Sequence, residues 1–412
     1  MTLWRDRDFL KLWAGQTISE VGSRITREGV PLTAVMMLHA SALEMGLLAA
    51  LGGIATLLIA PFAGIIADRN RLRPILVASD LGRALVIAII PIATFNGVLH
   101  LWTLFIVTAL AGILSVFFDV SYQSLVPSLV SRDRILEANS KLSLSTGTAE
   151  AIGPALSGTL IQLFTAPIAM AIDAASFLVS AASILFIRKP ETEKAPIEHA
   201  PSFHELTAGF RFVFSHPMLR PIALRSVNSS FFGGFFMALY VLYAVDNLKF
   251  TPFILGIVVS IGGISNFIGS SLIPRISRRW QPGTILIGAT ILQGFSTLLI
   301  PVAPGPGLAA IACMGGAQFL GDVSYPVYYV QELTIRQTLA PEHMLGRVNA
   351  TMQLLFRGIL PIGALAGGAL AQSCGVRRTI LVCALGFTLS SLWLIFSPVR
   401  TLSRKSLQSL VN

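Results

Sequence analysis

Four charged residues interrupt the first long apolar stretch of the chain: Glu20, Arg24, Arg27 and Glu28. In a helix that turns by about 100° per residue, they fall within roughly one third of the circumference. Facing hydrocarbon, each charge would cost about 2.5–3.5 kcal/mol, so this face must contact protein or a water-filled cavity. The charges either form a self-neutralising network of i,i+4 pairs that fixes the helix, or they form a site. In a site, a carboxylate could take up a proton or an arginine could bind an anionic group.

The composition predicts an all-α membrane protein. Hydrophobic residues make up 54% of the 412 residues and charged residues only 12%, whereas a soluble domain carries about 25% charged residues. The net charge of +10 indicates an excess of Lys and Arg on the cytoplasmic side of a lipid bilayer, so no nucleic-acid partner is expected. The chain has no phosphate-binding glycine loop and no His-Glu-x-x-His. We therefore expect no enzymatic activity, no cofactor and no metal.

Apolar stretches of spanning length recur twelve times along the chain. The predicted spans are 12–38, 43–66, 74–96, 101–124, 139–164, 167–187, 222–246, 252–274, 283–303, 307–330, 347–372 and 378–397. Of the 30 Lys and Arg, 22 fall at the termini or in alternate connections, three in the other connections and five within spans. This asymmetry predicts that both termini are cytoplasmic. We also expect no removable signal peptide.

The spans divide into two predicted halves. Residues 1–187 form an N-terminal six-helix bundle and 222–412 a C-terminal one, and 188–221 form a cytoplasmic linker. Three prolines predict a loose start to the linker, and phenylalanines at 203–214 predict a short interfacial helix.

An internal repeat supports this division. Asp119-Val120-Ser121-Tyr122 returns as Asp322-Val323-Ser324-Tyr325, 203 positions later. Each copy is followed by a polar loop that leads to an asparagine, Asn139 or Asn349, and then by a proline element. Four features in the same order indicate duplication, and paired halves in an apolar chain are typical of transporters.

Several strings resemble the major facilitator superfamily, and the resemblance covers nearly the whole chain. Residues 64–73 (GIIADRNRLR) resemble its signature of glycine, three residues, Asp-Arg and further basic residues, with Arg71 where glycine is usual. The set Gly153, Pro154, Ser157 and Gly158 resembles the fifth-helix motif of its drug–proton antiporters, with Ser157 replacing a glycine. Residues 208–212 and 345–349 are similar to the branch that contains macrolide and enterobactin exporters. An arginine usual in the fourth helix of many proton-coupled members is missing.

The resemblance implies two pseudo-symmetric bundles of six transmembrane helices around a central cavity. It also implies a conformational latch at the cytoplasmic side, in which an acid of helix four binds the basic loop after helix two. The latch residues would be Asp68, Arg69, Arg71, Arg73 and Asp119 in the first half, and by symmetry Arg275, Arg278, Arg279 and Asp322 in the second. The glycine–proline set would allow close helix packing.

Three further intramembrane charges are candidates. Glu150 precedes Gly153-Pro154, and Arg357 stands at the corresponding place before Leu360-Pro361. Each is either a tether between helices or a coupling site, so the proton-coupling or cavity set is Glu20, Arg24, Arg27, Glu28, Glu150 and Arg357. Asp173 is expected to hydrogen-bond between helices.

These features predict a secondary transporter in a bacterial-type inner membrane. The expected activity is export of small amphipathic or hydrophobic compounds, drug-like or siderophore-like, by proton antiport, and we expect a monomer. An uptake permease of the same fold is the alternative within this class, and a non-transporting membrane sensor or scaffold is the alternative outside it.

Overall fold

A computed structural model describes residues 3–191 and 203–403. Every long element in this part of the chain is a helix. The first six are α1 (Arg7–Met36), α2 (Ala42–Arg69), α3 (Leu72–Phe95), α4 (Leu101–Leu129), α5 (Ile135–Phe164) and α6 (Ala166–Leu185). After the short α7 (Phe203–Ser215) come α8 (Leu219–Leu242), α9 (Pro252–Arg279), α10 (Pro282–Val302), α11 (Leu308–Leu339) and α12 (Leu345–Cys374), and then α13 (Val376–Leu389) and α14 (Leu392–Ile395).

The helices confirm the predicted all-α membrane architecture. Within the described ranges, nine helical segments are long and apolar enough to cross a bilayer by length and composition, with α13 and α14 counted together. The other three long helices, α1, α5 and α11, have 30, 30 and 32 residues, enough for a span, but they carry more polar residues. Several helices are longer than the spans predicted for them. The helix predicted at 307–330 continues to Leu339, so Arg336 belongs to α11 and not to a loop.

The described helices group into two compact units. Unit 1 contains 3–40, 51–191 and 251–260, and unit 2 contains 41–50, 203–250 and 261–403. The start of α2 therefore belongs to unit 2 and the start of α9 to unit 1. In the predicted division, by contrast, the start of α2 belongs to the N-terminal bundle (1–187) and the start of α9 to the C-terminal bundle (222–412).

The structural repeat has a period of 210 residues. Helices α2 and α9 start at Ala42 and Pro252 (252 − 42 = 210) and end at Arg69 and Arg279. The same spacing separates α5 from α12 at both ends. The Asp-Val-Ser-Tyr identity has a spacing of 203, so it lies seven residues, or two helical turns, out of the structural register. Asp119 and Asp322 are therefore not equivalent positions, and neither are Glu150 and Arg357, which are 207 apart.

Glycines bring helices of unit 1 into close contact. A Cβ at Gly158 of α5 would lie 2.3 Å from the carbonyl oxygen of Pro252, and one at Gly256 would lie 2.3 Å from that of Pro154. On α1, a Cβ at Gly22 would lie 2.2 Å from Ser176 Oγ of α6. These approaches agree with the packing role predicted for Gly153, Pro154, Ser157 and Gly158.

Residues at the beginning of the predicted linker, Arg188 and Lys189, are bound to unit 1, while most of the predicted loose start, residues 192–202, lies outside the described residues. Asp8 Oδ2 accepts hydrogen bonds from the backbone amides of Arg188 and Lys189 at 3.1 and 2.9 Å. Lys189 Nζ donates to the carbonyl oxygen of Leu129 at 2.7 Å. The hydrogen bond from Lys11, together with those two amides, holds the pKa of Asp8 below its usual range. Asp8 is therefore ionised at neutral pH.

The predicted helix at 203–214 is confirmed as α7, and it packs within unit 2. Val213 is fully buried in the unit 2 core. A Cβ at Gly209 would lie 2.6 Å from the carbonyl oxygen of Arg347, near the start of α12. One face of α7 is therefore covered by protein.

The glycine contact in α5 yields the first testable prediction. Gly158→Val should lower the free energy of unfolding by about 1–3 kcal/mol, because the new side chain would meet backbone that cannot move aside. Gly147→Val is the matched control, since it changes the same helix where nothing lies within 4 Å of a new Cβ. The measurement is the thermal midpoint of the purified protein in detergent. Equal midpoints for the two variants would contradict the packing role.

Candidate functional site

The candidate site lies in unit 1, where the charged face of α1 meets α5. Arg24 Nη2 lies 3.2 Å from Glu150 Oε1, with side-chain exposures of 10% and 46%. The stem of Arg24 packs on Gly153, where a Cβ would lie 2.6 Å from Arg24 Cγ. The buried aliphatic part of the Arg24 side chain directs the guanidinium towards α5. The carboxylate of Glu150 remains partly exposed.

This pairing corrects one part of the sequence-based expectation. Among the described residues, the ion pair of Arg24 joins it to Glu150 and not to Glu20 or Glu28. Glu20 accepts instead from Gln16 Nε2 at 3.3 Å. The predicted i,i+4 pairs fail because Gly153 leaves room for Arg24 to lie against α5.

The assembled site carries a net negative charge. Two arginines and three carboxylates, those of Glu20, Glu28 and Glu150, sum to −1 when all are ionised. Arg27 is exposed and Glu28 half-buried. A surplus of one negative charge at membrane depth favours uptake of a proton or contact with a cation.

Arg73, one of the predicted latch residues, binds the segment that follows α6 in this structure. Its guanidinium donates to the carbonyl oxygens of Ile187, at 3.1 Å, and Lys189, and its backbone amide donates to Glu191 Oε1 at 2.9 Å. These bonds satisfy carbonyls just beyond the end of α6, which a cation stabilises. The other signature residues, Asp68, Arg69 and Arg71, lie at the end of α2 and in the connection to α3.

Asp119 and Asp322 are not at helix ends. Asp119 is exposed, ten residues before the end of α4. Asp322 is half-buried in the middle of α11, where Gln318 Nε2 donates to it. Asp322 Oδ2 lies against Gly262 of α9, thirteen residues before Arg275, which is about 20 Å along the helix. Arg275, Arg278 and Arg279 are therefore out of reach of Asp322 in this structure, and the Asp322 half of the latch stays a prediction.

Arg357 is exposed on α12 in unit 2. Asp173 is fully buried on α6 and accepts hydrogen bonds from Thr26 of α1 and from Ser176 Oγ, the latter at 3.1 Å. It thus joins helices, as predicted.

Sequence reasoning missed a buried ion pair in unit 1. Asp80 and Arg83 of α3 form a salt bridge, and both are buried. The guanidinium carbon of Arg83 lies 4.2 Å from the ring centre of Phe118 and 4.3 Å from that of Phe177. Two opposite charges three residues apart in an apolar span were the available signal.

Unit 2 contains a second buried cluster that sequence reasoning missed. Glu332 and Arg336 of α11 are 3.4 Å apart, and both are buried. Arg225 of α8 lies 3.7 Å from the ring centre of Tyr328 and donates to Gln293 Oε1 at 2.6 Å. The span predicted at 307–330 ends before Glu332 and Arg336, so the sequence gives no reason to pair these two residues along one helix.

The fold and the charged intramembrane site define a polytopic all-α membrane transporter. A family model described as a transmembrane secretion effector matches residues 2–411. The chain belongs to this family of major facilitator transporters, which are not enzymes.

Two named relatives and one solved structure illustrate the similarity. The chain is 26% identical to the multidrug efflux pump Tap of Mycolicibacterium fortuitum, over 88% of this chain and 89% of Tap. It is 25% identical to the enterobactin exporter EntS of Escherichia coli O1:K1 / APEC, over 91% and 87%. The crystal structure of the nucleoside transporter NupG matches with a TM-score of 0.75 at 13% identity, over 94% and 98%, and supports the fold alone.

The buried pair in α3 yields a second prediction. Arg83→Met should destabilise the protein by about 3–5 kcal/mol, because it leaves the Asp80 carboxylate buried without its cation. The double variant Asp80→Leu with Arg83→Met should recover most of that loss. Unfolding by denaturant in mixed micelles measures both. A double variant less stable than Arg83→Met alone would contradict the assignment.

Proposed function

We propose that this chain exports small amphipathic or hydrophobic compounds, drug-like or siderophore-like, from the cytoplasm. It works by alternating access and is driven by proton antiport. The observation that carries this proposal is the charged face of α1 with Glu150, which has a net charge of −1 and retains exposed groups. Its relatives include a multidrug efflux pump and an enterobactin exporter, which supports export over uptake.

Within the site, Glu28 is the proposed proton carrier. The direct ion pair of Arg24 is with Glu150, so Glu28 interacts with this cation only at longer range. Its nearest charged neighbour in sequence is Arg27, which points about 100° away around the helix. A carboxyl group with a poor cationic partner at membrane depth takes up a proton more readily than a paired one.

The protein lies in the inner membrane as a monomer with both termini cytoplasmic. The 22-to-3 distribution of Lys and Arg supports the cytoplasmic termini. The two six-helix bundles exchange between conformations, and a contact of Asp119 with the basic end of α2 stabilises one of these conformations.

Asp119→Asn should then increase labelling of a reporter cysteine on the cytoplasmic side of the cavity.

Transport in everted membrane vesicles tests direction and coupling. Vesicles acidified inside should accumulate a probe, because protons leaving the vesicle drive compounds in. Suitable probes are a lipophilic cationic dye, a neutral macrolide and a catechol siderophore. Accumulation of none of them, or accumulation that ignores both the pH gradient and the membrane potential, would contradict proton-driven export.

The same vesicles test the proton carrier. Glu28→Gln should reduce pH-driven accumulation to the level of vesicles without the protein, because glutamine cannot release a proton, while probe binding and membrane insertion remain. Asp246→Asn is a matched control at an exposed carboxylate near the end of α8 and should transport normally. Wild-type pH dependence in Glu28→Gln would assign the proton to another group, with Glu150 the next to test.

A further inference from the structure

An apolar groove of about 680 Å³ opens on the side of unit 2, between α8 and the consecutive helices α13 and α14. Five residues from Leu224 to Phe232 form one wall, and five from Gly386 to Phe396 form the other. Leu389 and Phe396 are 55% and 80% exposed, so the groove is open to its surroundings. In a chain that spans a bilayer, such an apolar opening faces hydrocarbon and not water.

Each wall of the groove leads to an arginine. On α8, Arg220 lies one turn before Leu224 on the same helical face. On the other wall, Arg400 follows Phe396 by four residues, in a short 3₁₀ helix beyond α14. Both arginine side chains are exposed. The two lining stripes therefore change from apolar to cationic at these residues.

The two arginines lie at the same end of the groove. Leu219 and Val399, their neighbours in sequence, are buried together in one core cluster of unit 2. Within residues 3–191 and 203–403, no hydrogen bond or ion pair engages the guanidinium of Arg220 or Arg400. Guanidinium groups match the geometry of phosphate oxygens, and basic residues at a membrane surface attract anionic lipids. This end of the groove therefore suits a phosphate head group.

The length of the groove matches one leaflet of a bilayer. Phe232 is 12 residues beyond Arg220 (232 − 220 = 12), which is about 18 Å along α8. Half of the hydrocarbon core of a bilayer is about 15 Å. A phosphate at the arginines would therefore leave an acyl chain beside the groove as far as the middle of the bilayer.

The chemistry of the groove favours a lipid chain over the proposed cargo. A pocket for an amphipathic compound has several polar groups that converge on it. Asn228 is the only amide among the ten lining residues, and its Nδ2 donates to the carbonyl oxygen of Gly386 at 3.3 Å. An acyl chain requires no polar partner, so it fits these walls.

We propose that the groove binds an anionic phospholipid, with its phosphate at Arg220 and Arg400 and one acyl chain between α8 and α14. This lipid is a bound component and not cargo, so the inference goes beyond the proposed function. Only its assignment to the cytoplasmic leaflet rests on the proposed orientation of the termini.

Quenching of Trp393 fluorescence by brominated phospholipids tests the proposal. Trp393 lines the groove and is 46% exposed, and bromine quenches only at short range. The protein is reconstituted in phosphatidylcholine, which is replaced in rising proportion by phosphatidylcholine or phosphatidylglycerol with brominated chains. Trp393→Phe gives the background of the other four tryptophans. Brominated phosphatidylglycerol should reach half-maximal quenching at a proportion at least about tenfold lower, since each arginine contributes about fivefold.

Variants separate the head-group contact from the groove itself. Arg220→Gln with Arg400→Gln should remove the preference for phosphatidylglycerol, while quenching by phosphatidylcholine remains. Arg378→Gln is the matched control, because it changes an exposed arginine near the start of α13, away from the groove, and it should keep the preference. Val227→Phe narrows the groove and should reduce quenching by both lipids.

Three results would overturn the proposal. Equal quenching by the two lipids in the wild type, or a preference that survives in the double arginine variant, would mean that the groove meets only bulk lipid. Quenching without head-group preference that a neutral macrolide relieves would assign the groove to exported compounds. Quenching by neither lipid would mean that other protein, such as a second copy of this chain, covers the groove. Because no transport is measured, each result is distinct from failure of the proposed export.

Discussion

The cost of placing charge in hydrocarbon is the constraint on which this structure depends. The α1 charges avoid this cost by facing α5, where Glu150 contacts Arg24. Asp80 and Arg83 avoid it by forming an ion pair, with the Arg83 guanidinium against two aromatic rings. Glu332 and Arg336 pair along one buried helix face. Each of these ion pairs requires a partner on a neighbouring helix or helical turn. The positions of the charges therefore restrict which helices can pack together.

The two units reach a similar arrangement from different helices. Counted from the helix ends, Phe118 of α4 and Tyr328 of α11 are equivalent positions, 210 residues apart. Each ring lies under a guanidinium, but Arg83 comes from α3 and Arg225 from α8. At the position equivalent to Arg83, unit 2 has Gln293, whose oxygen accepts from Arg225. One unit thus has a closed ion pair where the other has a cavity with Asp322 on its wall.

Much of the fold was predictable from sequence, because apolar length and charge asymmetry are local signals. The charged face of α1 could also be predicted, since helical geometry places Glu20 to Glu28 together. The partner of Arg24 could not, because Gly153 is 129 residues away and its effect is steric. The Asp-Val-Ser-Tyr identity suggested the wrong alignment of the two halves, because four matching residues do not show where the helices end. Asp80 and Arg83 were missed because nothing local showed that Phe118 and Phe177 lie on either side of Arg83.

The central claim is that the charged face of α1 contacts water and not lipid. Labelling of Arg27→Cys with a charged, membrane-impermeant thiol reagent tests it most directly. Cys313, Cys374 and Cys383 would first be replaced by serine. Leu85→Cys is the comparison, because Leu85 is 72% exposed on an apolar face of α3. We expect the reagent to modify Arg27→Cys and not Leu85→Cys. An Arg27→Cys that stays unmodified from both sides of the membrane, like Leu85→Cys, would contradict the account.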